Sequence, residues 1–201
     1  MLKARMKTFI ENHIENVEGK KIVKVFQQEK EYIDKYQLLQ EGITIVENED
    51  TSRFINAYIE RGNKETEEFL GEETKEFLQK PIAYFKKEKN EFMYMELEWF
   101  ELVGVDAVSF EVDDAFGTYN VMFGLKLQKK FLEKIKYFIK NKFIHEDAKF
   151  ELLFDGNEGI WNINFSLNDL EGFSEEMTIE EAFKGIYQFL FELAETADQA
   201  E

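Results

Sequence analysis

Hydrophobic positions recur along this chain with two periods, and each stretch takes its expected element from the period it shows. Around Lys149–Phe154, Phe150, Leu152 and Phe154 alternate with Lys149 and Glu151, and around Ile160–Asn168, Trp161, Ile163, Phe165 and Leu167 oppose Asn162, Asn164, Ser166 and Asn168. A period of two places successive side chains on opposite faces of a strand, so the pair predicts a hairpin with one buried and one wet face. Asp155-Gly156-Asn157-Glu158-Gly159 supplies its turn. After a polar link the period becomes helical, with Ile179, Phe183, Ile186, Tyr187, Leu190 and Leu193 on one stripe. Thr178 and Glu181 stand at the reciprocal spacing of a capping box, which fixes where that helix begins.

Upstream, Glu91–Val103 fits a strand through Met93, Met95, Leu97 and Trp99 and is read as one, although Phe92, Met95, Trp99 and Leu102 also fit a helix. Val108, Phe110 and Val112 alternate, Asp113–Gly117 reads as a hairpin loop, and Tyr119, Val121 and Phe123 continue the sheet. A helix with Leu127, Phe131, Ile135 and Phe138 inside then runs over 126–142. Before Asn90 the spacing reads as helices: 2–17 with Gly19 as the stop, 21–40, a segment carrying Phe54, Ile55, Tyr58 and Ile59 capped by Asp50, Thr51 or Ser52, and another through Phe69, Leu70, Phe77 and Leu78. Ile43–Val46 is a short candidate strand, and Pro81 ends a helix or opens a turn with Tyr84 and Phe85.

The element order predicts an α+β fold: an antiparallel sheet of about five strands (β-β-β-α-β-β-α) covered by two helices, with a mostly helical N-terminal part over 1–90 and the sheet over 91–201. One continuous domain over 1–201 is expected, because no flexible linker appears at Asn90.

Charge is more informative here than bulk composition. The formal net charge is −17, and residues 151–201 carry 13 acidic side chains against Lys184 alone. Such a field repels phosphate backbones and anionic membranes and attracts basic partners, although solubility alone also accounts for it. The 126–142 helix is the basic exception, with Lys126, Lys129, Lys130, Lys134, Lys136, Lys140 and Lys142 against Glu133; it has no Arg to fork onto phosphate and reads as a solvated face. No cysteine is present, which excludes disulfides, thiolate catalysis and Cys-ligated metals. No secretory signal or membrane span is read, so the expectation is a cytoplasmic, bacterial-type protein that binds neither nucleic acid nor membrane.

Catalytic signatures are absent: no nucleophile elbow, no phosphate-binding glycine loop, and no pattern around His13 or His145. The loop starting at Asp155 fails as a calcium loop, with Ile160 at its sixth position and Ser166 at its twelfth. Glu96, Glu98, Glu111 and Asp113 are metal or acid–base candidates if their strands pair, against the plainer reading of a solvated sheet face. Trp99, Phe100, Phe110, Phe116, Tyr119, Phe123, Trp161 and Phe165 line either an aromatic pocket or an ordinary core. The leading expectation is a non-enzymatic binding or regulatory protein of the immunity or inhibitor kind, without cofactor, docking a basic protein partner through Glu175, Glu176, Glu180 and Glu181. The alternatives are a metal-assisted carboxylate enzyme and a small-molecule carrier.

Overall fold

The computed structural model describes residues 1–49 and 53–198, which fall into two units divided between Asn56 and Ala57. In the first, α1 (Leu2–Asn12) buries Leu2, Met6, Phe9 and Ile10, an i, i+4, i+7, i+8 stripe. The expected helix over 2–17 is thus shorter, because Glu15–Val17 is β1 and Lys20–Val25 is β2. Glu18 and Gly19 both take positive φ, the backbone that a tight two-residue hairpin turn demands, so Gly19 turns a hairpin instead of stopping a helix. The expected helix over 21–40 is likewise corrected: β2 precedes α2 (Gln27–Tyr36), and Val23 and Val25 are buried at period two. Ile43–Glu47 is β3, parallel to β2, completing a sheet of order β1-β2-β3. Inside this unit the Arg53 guanidinium donates to both Glu29 carboxylate oxygens at 2.8 and 3.1 Å and lies over the Phe26 ring.

The second unit holds a seven-stranded antiparallel sheet, where about five strands were expected. Its extra members are β4 (Tyr58–Asn63) and β5 (Phe69–Glu73), both expected as helix. The capping residues assigned to the first of those helices, Asp50, Thr51 and Ser52, lie outside the described residues. A 3₁₀ turn (Lys75–Gln79) and the short α3 (Tyr84–Lys87) follow Thr74 and Pro81. The mostly helical reading of 1–90 is therefore overturned, since five strands fall within it. Glu91–Val103 divides between both of its periods: β6 is Glu91–Glu96 and α4 is Glu98–Val103. Then come β7 (Val105–Val112), β8 (Tyr119–Leu125), α5 (Leu132–Lys142), β9 (Phe150–Asp155), β10 (Ile160–Ser166) and α6 (Ile179–Asp198), near their expected places.

Strand order is β5-β4-β6-β7-β8-β10-β9, so β10 lies inside and β9 forms an edge. Phe110, Tyr119, Trp161, Ile163 and Phe165 all turn to one face and are buried there. α6 covers it: Phe183 meets the Phe110 ring at 5.8 Å and Phe189 meets Phe165 at 4.6 Å. Each such side chain removed from water contributes about 2–3 kcal/mol. The capping box forms as expected, with the Glu181 N–H donating to Thr178 Oγ1 (3.2 Å) and the Thr178 N–H to Glu181 Oε2 (2.7 Å). No helix among the described residues is long and apolar enough to cross a membrane.

Candidate functional site

The sheet's second face mixes polar residues with Phe92, Met122 and Leu153, and lies opposite the face on which α3 and α6 pack. Register aligns one residue from each strand into a row: Glu72, Glu60, Tyr94, Ser109, Met122, Asn164, Glu151. At the usual strand spacing the row is roughly 29 Å long. Carboxylates stand at both ends and uncharged groups between them. Beside it run Gly62, Phe92, Glu111, Asn120 and Ser166, and, on the other flank, Gly124, Asn162 and Leu153. A shallow cleft of about 470 Å³ opens where Tyr94, Asp106, Ser109, Met122, Asn162 and Leu153 surround the glycine at 124. Among the described residues no side-chain hydrogen bond is made by Ser109, Asn162 or Asn164, which leaves their donors and acceptors to solvent.

Acidic groups set the electrostatics of this face. Tyr58 donates to Glu60 and Tyr94 to Glu96, each at 2.8 Å, and across the ladder Tyr58 opposes Glu96 while Glu60 opposes Tyr94. The Tyr58 phenol is pushed up to about 12, first by its bond to Glu60. Tyr94 is also pushed up to about 12, first by burial and then by its bond to Glu96, with Asp106 and Glu60 adding to the effect. Burial raises the Glu111 carboxyl, which Lys64 partly offsets. Lys126 is engaged by Asp106. A ring flanked by carboxylates suits a cationic side chain, which gains from charge and from the π face together.

The glutamates expected to bind a partner lie elsewhere and mostly serve the chain itself. Glu175 accepts from Lys86 (2.6 Å) and from the Tyr119 hydroxyl (3.0 Å). Glu180 pairs with Lys184 at 2.8 Å, and Glu181 closes the capping box. Glu176 is exposed. Of the metal candidates, Glu96 and Glu111 share the open face, whereas Glu98 opens α4, so the expected strand pairing of Glu96 with Glu98 on one face does not occur. Asp113 Oδ1 accepts from the N–H groups of Ala115 and Phe116, which shapes the β7–β8 loop. Among the described residues no three His, Asp or Glu side chains are grouped to hold a metal. The aromatic candidates are buried, with Phe110 stacked on Tyr119 and Phe123 against Phe165, except Phe116, which is 82% exposed at the loop tip. On the basic helix, Lys142 pairs with Glu192 of α6.

No family model, curated protein or solved structure matches this chain.

A second cleft, of about 930 Å³, lies beside the β7–β8 loop and the start of β9. There His145 Nδ1 stands 2.8 Å from Asp169 Oδ1, a carboxylate-oriented imidazole not legible along the chain, because 24 residues separate the two. The nearby Ser166 hydroxyl donates to Asn168 Oδ1, so the pair has no activated nucleophile in that serine.

Proposed function

We propose that this chain is a non-enzymatic, cytoplasmic binding protein of the immunity or inhibitor kind that takes a basic polypeptide on the open face of its seven-stranded sheet. The observation that supports the reading is the row across that face. Its ends are carboxylates, and its middle offers uncompleted hydroxyl and amide groups beside Tyr94 and Met122. That pattern complements an amphipathic segment with cations at its margins: the middle supplies contact area and the ends supply orientation and on-rate. The engagement of Glu175, Glu180 and Glu181 within the chain favours this face over the surface beside α6.

The test is anisotropy titration with a fluorescein-labelled, lysine-rich amphipathic peptide at low salt. Glu60→Lys/Glu72→Lys is expected to weaken binding about tenfold, near 1.4 kcal/mol for two reversed rim charges. Glu176→Lys/Glu180→Lys changes the net charge equally and is expected to weaken it less than threefold. Equal losses from the two variants, or no saturable binding by the wild type, refute the reading.

A further inference from the structure

The strand β9 ends the sheet order, so one of its long edges presents unpaired backbone groups. Its helix-side residues are incompletely covered: Phe150, Leu152 and Phe154 are half-buried, whereas Trp161, Ile163 and Phe165 on the neighbouring strand are each 2% exposed. On the open face Leu153 is 66% exposed. The usual protections of an edge are missing. β9 contains no proline, its register with β10 runs without a bulge from Asp155 to Phe150, and Glu151 is its only interior charge. The opposite edge, β5, differs: a register shift falls between Arg61 and Gly62 of its partner strand, and Glu72 and Glu73 stand side by side.

We propose that the β9 edge pairs with the same edge of a second copy of this chain, antiparallel and centred on Leu152. Directly opposed residues of an antiparallel pair project to the same face. To join the two half-covered apolar rows, the two-fold axis must therefore pass at a residue and not between two. Centres at Leu152 and Leu153 pair five of the six strand residues with one another, and a centre at Glu151 pairs three. Centring on Glu151 sets that carboxylate against its own copy, and centring on Leu153 sets Glu151 against the second copy's Asp155. Centring on Leu152 opposes Leu152 with Leu152, Phe150 with Phe154, Glu151 with Leu153 and Lys149 with Asp155. It alone avoids opposed like charges and adds two opposite-charge pairs.

The sheet then continues from copy to copy, with both open faces on one side. A six-residue edge buries little area, so the dimer is weak and concentration-dependent. Two chains of net charge −17 repel, so salt strengthens the pairing, opposite to its effect on a basic peptide bound to the open face. The proposal does not depend on that binding role.

Sedimentation velocity of the full chain, from micromolar to submillimolar concentration at low and high salt, tests it. The wild type is expected to move toward dimer with concentration and with salt. Leu153→Glu, at an exposed position, sets two Glu–Glu pairs against each other and is expected to weaken the dimer at least tenfold. Adding Glu151→Lys to Leu153→Glu is expected to restore it to within about threefold of wild type, since each Lys then faces a Glu of the other copy. A monomer throughout, a dimer indifferent to Leu153→Glu, or a double variant no better than the single one overturns the proposal.

Discussion

The bidentate pair in the first unit gives the sharpest energetic prediction. Glu29 is 0% exposed and Arg53 only 7%, with nitrogen–oxygen distances of 2.8 and 3.1 Å and the guanidinium 4.1 Å from the Phe26 ring centre. Removing one partner leaves a charge in a site closed to water, which typically costs about 3–5 kcal/mol. A unit of 56 residues has a stability of only about 3–8 kcal/mol at the usual value per residue. Arg53→Met is therefore expected to consume most of it, with a loss of roughly 15 °C or more in the Tm of this unit. Replacing both groups by apolar side chains, as in Glu29→Leu/Arg53→Met, removes the buried charge entirely and is expected to fall within about 1 kcal/mol of wild type. Hydrogen exchange read separately over α1, β2 and α2 and over β7, β8 and β10 is the assay, because it assigns the loss to residues 1–56. Arg53→Met costing under about 1 kcal/mol, or the double variant being as unstable as the single one, refutes the reasoning.

Gly62→Ala would place a Cβ 2.4 Å from Phe92 Cε1 and is expected to cost about 1–3 kcal/mol in urea melts, with Gly62→Ala/Phe92→Ala recovering the steric part. Thr178→Ala removes the α6 cap and is expected to cost about 1 kcal/mol by the same measurement. Tyr94, whose neutral phenol the fold favours, contributes stability that is complete below the ordinary tyrosine value of 10.0 and lost as pH rises through about 12. Tyrosinate absorbance should show that late titration, and Glu96→Gln should move it to lower pH. Burial raises Glu111 in the same sense, so at neutral pH its ionised form opposes folding, and Glu111→Gln is expected to raise the Tm measured by calorimetry.

Local sequence determined the elements wherever burial was one-sided and strong. In β8, β10 and the Val108–Val112 part of β7 every second residue is buried, so period two stands out; in α6 the stripe and the Thr178–Glu181 box agree on where the helix starts. Those signals specified the covered half of the large sheet and the class α+β. They failed where alternation had little amplitude. β4 buries Ile59 as its one large apolar side chain, and β5 has no fully buried residue. Ile22, Val23, Val25 and Phe26 fit both periods, so the strand β2 could not be told from a helix before β1 and β3 flanked it.

Tertiary pairing decided the rest. Nothing local tells that β4 inserts between β5 and β6, or that β10 lies inside and leaves β9 at the edge. The row from Glu72 to Glu151 exists only because seven strands came into one register, and the meeting of His145 with Asp169 likewise required the fold. The physical reason is range. Periodicity and capping act within a few residues, whereas a strand's neighbours and the contents of an open face follow from contacts between segments far apart in the chain.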